Sequence, residues 1–115
     1  MIGTRSLSVT NDRVLKLLRE LKEGIDKIYG PRLKGVYLFG SYATEKQDSE
    51  SDLDVLILLD CIYHYADEVD RTSDIISNLS LKYGLSISRI FLTEQDWQGG
   101  GTPFLNNARR EAVAL

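Results

Sequence analysis

A chain of 115 residues, 43% apolar and 27% charged, has the balance of one globular domain with a modest core, and it excludes a disordered or low-complexity chain. Its net charge of −3 and pI near 5.1 argue against a broad nucleic-acid surface, which would want a basic stripe, so nucleic acid is not an expected partner. The single cysteine, Cys61, excludes an internal disulfide and a cysteine zinc site.

Residues 1–9 read as a loose lead-in without the apolar core of a signal peptide. From Thr10 or Asn11, both natural helix caps, a helix is predicted to about Tyr29, with Val14, Leu17, Leu18, Leu21, Ile25 and Ile28 on one face and a stop at Gly30-Pro31. Gly35 to Phe39 reads as a strand without alternation, so both its faces are expected to be covered. Leu53 to Leu59 reads the same way and holds the longest apolar run, Val55 to Leu59, which is far too short to span a bilayer. A soluble cytoplasmic protein with no membrane role is therefore expected.

A second helix is predicted from about Tyr63 to Tyr83, with Ala66, Val69, Ile76, Leu79 and Tyr83 inward, Asp67, Glu68, Asp70, Arg71 and Asp74 outward, and Gly84 just past its end. Leu85 to Leu92 is the third strand. Thr93 caps a short helix through Trp97, Gly99 to Gly101 form a flexible joint, and Thr102-Pro103 starts a last helix whose apolar face is Phe104, Leu105 and Ala108. The order predicts one α/β domain over residues 1–115, a small sheet covered by helices, and leaves sheet order and strand direction open. His64 is expected at the surface or in a cap, Cys61 as a small buried hydrophobe, Trp97 in packing, and Arg109-Arg110 on a solvated helix face.

The stretch between the first two strands carries the chemistry. Asp52 and Asp54 share one face of a strand, about 7 Å apart, where they repel each other unless a cation lies between them. Few carboxylates per ion is what Mg²⁺ accepts when phosphates complete its shell. Gly40 lets backbone approach a ligand closely, Ser41 offers a hydroxyl, and a helical turn starting at Tyr42-Ala43-Thr44 would aim free N–H groups at an anion.

Gly40-Ser41, ten residues, then Asp52-Leu53-Asp54 resembles the signature of the DNA-polymerase-β-like nucleotidyltransferase superfamily, and within it the minimal nucleotidyltransferase (MNT) domains. The signature covers only residues 40–54, while the order of elements agrees over nearly the whole chain. The resemblance implies a mixed sheet in the polymerase-β-like fold. It also implies Mg²⁺ held by Asp52 and Asp54 as catalytic and metal residues, and Gly40 and Ser41 on the phosphates of a nucleoside triphosphate, ATP being the expected one. It further implies a helical HEPN-type partner, with this chain as the antitoxin of the pair, and leaves a homo-oligomer open. Two departures stand out. Thr44 and Glu45 follow Ala43 where such proteins commonly carry Arg and Gly, with Lys46 nearby, and the third strand offers Ser86 and Ser88 where active members carry a third carboxylate. Ser88 is the better match. The alternative reading is a catalytically weak or inactive nucleotide-binding antitoxin module that acts by protein contact.

Overall fold

The computed structural model describes residues 12–43 and 51–115. The lead-in at 1–9, the caps Thr10 and Asn11, and the loop positions Thr44, Glu45, Lys46, Asp48, Ser49 and Glu50 lie outside the described residues.

Helix α1 (Asp12–Tyr29) buries Val14, Leu17, Leu18, Leu21, Ile25 and Tyr29. Ile28, predicted on that face, is 38% exposed, because in the last turn it is Tyr29 that reaches across to the next helix. A 3₁₀ turn over Gly30–Arg32 ends the helix at the predicted stop. The elements that follow are β1 (Leu33–Phe39), β2 (Leu53–Leu59), α2 (Tyr65–Tyr83), β3 (Ile87–Thr93), α3 (Glu94–Gly99), α4 (Pro103–Glu111) and β4 (Val113–Ala114). The sheet runs β3-β2-β1-β4, with β1 antiparallel to β2 and β4, and β2 parallel to β3 through the α2 crossover.

One sheet face, carrying Val36, Leu38, Val55, Ile57, Leu59 and Phe91, packs under α1 and α2. The opposite face, carrying Tyr37, Phe39, Leu56, Leu58, Ile90 and Leu92, packs against Trp97, Leu105, Ala108 and Ala112. Both faces of β1 are covered, as predicted, but unequally: Val36 and Leu38 are buried while Tyr37 and Phe39 are only half-buried under the smaller second layer. β3 begins two residues later than predicted, because Gly84 and Leu85 both donate their N–H to the Ser80 carbonyl and so belong to the cap of α2. β4 has no counterpart among the predicted elements; two residues give no periodicity, and only pairing with Tyr37 and Leu38 defines them.

The last two helices are capped as predicted, Thr93 Oγ1 accepting from Asp96 N at 3.1 Å and Thr102 Oγ1 from Leu105 N at 3.2 Å. Within the glycine joint between them only Gly100 is packed, where a Cβ would lie 2.7 Å from the Asp96 carbonyl oxygen, while Gly99 and Gly101 face open space. Arg109 is not simply solvated, since its guanidinium donates to the carbonyls of Trp97 and Gly100 and holds that joint. Trp97 is buried, as predicted. His64 is exposed at the N-cap of α2, and Cys61, expected to be buried, is only half-buried in the link between β2 and α2.

The antiparallel helices α1 and α2 are tied together by a residue that the pattern assigns to solvent. Glu68 is 2% exposed. Its Oε1 accepts from Tyr29 Oη at 2.9 Å and Arg71 Nη1 at 2.8 Å, and its Oε2 from Arg32 Nη2 at 3.1 Å. Burial pushes its carboxyl up, but the hydrogen bonds from Arg71, Arg32 and Tyr29 outweigh that and hold it below the ordinary glutamate value. Ala66, predicted inward, is exposed in the first turn of α2, and Glu68 takes the inward place instead.

Glu68→Ala should cost about 2 kcal/mol in urea unfolding, because it strands the Tyr29 hydroxyl and removes the shared acceptor of two partly exposed guanidiniums. A carboxyl depressed in the folded state contributes stability above its unfolded pKa and loses it as pH falls through the folded one. The wild-type protein should therefore lose stability faster than Glu68→Gln as pH drops below 4.5, the ordinary glutamate value, in parallel acid titrations.

Candidate functional site

β1 ends at Phe39, whose register partner on β2 is Asp54. The chain then reverses at Gly40, with φ of +76°, in a turn closed by Ala43 N–H donating to the Gly40 carbonyl at 3.1 Å. The described part of this turn is 40–43; Thr44, through which a helical turn from Tyr42 would continue, lies outside the described residues. Tyr42 and Ala43 drop into the core beneath α1 and fasten the turn, leaving Ser41 half-buried beside them.

The turn and the carboxylates meet at Gly40. A Cβ placed there would lie 2.3 Å from Asp54 Oδ2, so the carboxylate rests directly against the glycine Cα. The positive φ and the contact both demand glycine at this position. Asp54 is half-buried on the same sheet face as Leu56, while Asp52, just ahead of the strand, is exposed. Burial raises the Asp54 carboxyl above the ordinary aspartate value, and the charge of Asp52 raises it further. Gly40, Asp52 and Asp54 are thus brought together, with Ser41 adjoining through the turn.

The parallel register sets Ser88 directly beside Asp54, on the same face and exposed, whereas Ser86 lies before the strand and gives its carbonyl to Leu53 N at 2.9 Å. Of the two serines, Ser88 is the one that the register pairs with Asp54. Among the described residues, no three His, Cys, Asp or Glu side chains gather as a metal cage. Two mutually repelling carboxylates, one of them half-buried, beside a turn are a donor set that suits a hard divalent cation shared with a polyphosphate, which Mg²⁺ binds through one or two carboxylates with water and phosphate oxygens. A concavity of about 580 Å³ bounded by described residues is lined by Pro103, Asn106, Asn107, Arg109 and Arg110, and not by Asp52 or Asp54. Charge arrangement outweighs cavity size as the mark of a polyphosphate site, since such sites are open and polar.

Sequence reasoning did not place Phe39 beside Asp54. That neighbour depends on antiparallel register, which the pattern left open; the parity of Tyr37 with Leu56 is the signal that would have found it once the pairing was assumed.

Residues 18–97 match the sequence profile of the nucleotidyltransferase domain. An inferred protein adenylyltransferase of Methanocaldococcus jannaschii is 40% identical over 77 residues, covering 67% of this chain and 77% of that protein. In structure, the chain is similar to an inferred nucleotidyltransferase from Sulfolobus solfataricus, with a TM-score of 0.56 at 20% identity over 95% of this chain and 90% of that one. It is also similar to a chain of the complex between the tri-AMPylated HEPN toxin and the MNT antitoxin of Shewanella oneidensis, with a TM-score of 0.51 at 17% identity over 89% of this chain and 67% of that one. The chain belongs to the nucleotidyltransferase domain family, and its small mixed sheet with helices has the fold of the minimal nucleotidyltransferases.

A carboxyl raised in the folded state costs stability as pH rises through its folded pKa. In chelator at neutral pH, Asp54→Asn should therefore melt above wild type, and the two should converge as pH falls below the ordinary aspartate value of 3.8. Gly40→Ala should instead lose about 1–3 kcal/mol in urea unfolding, through its left-handed backbone and the collision with Asp54.

Proposed function

We propose that this chain is a Mg²⁺-dependent nucleotidyltransferase that moves a nucleoside monophosphate, AMP most readily, from a nucleoside triphosphate onto a hydroxyl of a partner protein. The observation that carries the reading is the contact of Asp54 with Gly40, which sets the carboxylate against the Gly40-Ser41 turn at one end of the two central strands. Asp52 and Asp54 would hold the cation, and the turn would orient the β- and γ-phosphates. When bound, Mg²⁺ neutralises the charge of the triphosphate and of the leaving pyrophosphate.

The acceptor oxygen forms a bond to the α-phosphorus as the bond from that phosphorus to the bridging oxygen of the β-phosphate breaks. Pyrophosphate departs, and the acceptor's proton passes to solvent. Little covalent assistance is required of the protein, since such transfers depend on positioning and charge. Ser88 beside Asp54 supplies a neutral hydroxyl, so these residues orient the donor more strongly than they activate the acceptor. A HEPN-type helical protein as acceptor and an antitoxin role for this chain are supported by the neighbouring fold in the AMPylated toxin complex. A second reading, in which the chain binds nucleotide and restrains its partner by contact alone, is favoured by the same neutral Ser88.

Mg²⁺ with ATP at a hundredfold excess over Kd should stabilise the wild-type protein by about 2.7 kcal/mol. Asp54→Asn should remove that gain, and absence of any Mg²⁺-dependent shift in wild type at millimolar nucleotide would overturn the reading. Gly40→Val should weaken nucleotide binding at least about tenfold, 1.4 kcal/mol. Label from the α-phosphate, and not the γ-phosphate, should appear on a co-purified partner. Ser88→Asp should deepen the Mg²⁺ response and raise transfer while Ser86→Asp does neither, and stabilisation without label transfer would select the contact-only reading.

A further inference from the structure

The sheet face that carries Asp54 does not end at the carboxylate. Its cross-strand neighbour is Phe39, the last residue of β1, and directly opposed residues hold their Cβ atoms about 5 Å apart on one face. Against Phe39 stands Phe104, in the first turn of α4, with ring centroids 6.1 Å apart and planes at 88°. While Leu105 and Ala108 of the same helix are buried against the sheet, Phe104 remains 51% exposed. An aromatic ring in a small domain gains most by burial, so a half-exposed phenyl group fixed beside a carboxylate site, and touching the residue that adjoins it, stands out. An edge-to-face pair also leaves a ring face that its partner does not occupy.

We infer that Phe104, set by Phe39, is a stacking platform for the base of the bound nucleoside triphosphate, which makes α4 part of the donor site. This deepens the function proposed above and rests on it. The occupant follows from continuity. A triphosphate held at Gly40-Ser41 and at the carboxylates carries a planar aromatic group at its other end, and the adjoining apolar surface on that face is aromatic. Stacking is tolerant of base identity because every base has a π face. The helix that carries the ring is held firmly at both ends. Thr102 caps its first turn, and Arg109 near its last turn ties it to the Trp97 and Gly100 carbonyls.

Calorimetric titration separates this inference from the reading beneath it. Mg–ATP and Mg–tripolyphosphate, which has no base, are titrated into wild type and into Phe104→Leu, a variant that keeps apolar bulk and loses the ring. The expected result is a loss of about tenfold for Mg–ATP and less than twofold for Mg–tripolyphosphate. Equal losses for both, or none for either, would overturn the platform while leaving the phosphate site standing. Wild type that bound neither would overturn both. Phe104→Trp provides an independent measurement should the leucine variant unfold. Its added indole fluorescence, relative to wild type with Trp97 alone, should be quenched by Mg–ATP and not by Mg–tripolyphosphate, and equal response to the two would count against stacking.

Discussion

Strand β2 imposes the governing constraint. It is hydrogen-bonded on both edges and covered on both faces, and from Val55 to Leu59 every side chain is buried. No charge can sit in that run without a partner, because an unpaired buried carboxylate costs several kcal/mol. Polar chemistry is thereby confined to the start of the strand, where Asp52 still meets water and Asp54 is only half-withdrawn from it. The neighbours then follow from register. Antiparallel β1 brings Phe39 and the Gly40 reversal to that end, and parallel β3 brings Ser88. A mixed sheet is what allows one strand's start to lie beside another's finish on one side and another's start on the other.

The charge at the opposite end of the helical layer serves a different purpose. Glu68 joins α1, the turn after it and α2 through Tyr29, Arg32 and Arg71. Its partners satisfy it, so its carboxyl lies below the ordinary value although it is more deeply buried than Asp54, whose carboxyl lies above it. Burial acts in the same direction on both. What separates them is the company: donors surround Glu68, whereas among the described residues the charge that acts on Asp54 is another carboxylate. That contrast distinguishes an acid satisfied by its partners from one repelled by its described charged neighbour.

Much of this was legible beforehand because the decisive signals are local. The α1 stripe from Val14 to Ile25, the run Leu53–Leu59, the threonine caps at Thr93 and Thr102, and Gly84 as a helix terminator each depend on a few neighbouring residues. The pairing of Gly40-Ser41 with Asp52 and Asp54 was legible through spacing and resemblance. What was not legible is what depends on partners distant in sequence. Glu68 looks like every other acid on its helix until Arg32, 36 residues away, is brought to it. Phe39 looks like a strand residue with no site role until the register places Asp54 opposite, and β4 is too short to carry a period at all. The bond from Arg109 of the following helix to the Gly100 carbonyl, inside the predicted joint, was illegible for the same reason.

At the site itself, stability and chemistry pull in opposite directions. Gly40 holds a backbone conformation that other residues resist, and Asp54 is pressed against it with Asp52 nearby, so the free protein carries both a conformational restriction and a charge repulsion there. The surrounding structure sustains this only because Tyr42 and Ala43 anchor the far side of the turn in the main core, and because β2 is locked between two neighbours. A divalent cation bearing a polyphosphate would reverse the electrostatic part of that cost without asking the backbone to move. On the proposed function, the arrangement would be preorganised for an anionic ligand that arrives with its counter-charge, since a bare anion would meet two carboxylates. Ser88 bears on the same point: a third acid beside Asp54 would add repulsion in the free state, which a neutral hydroxyl at that register position does not.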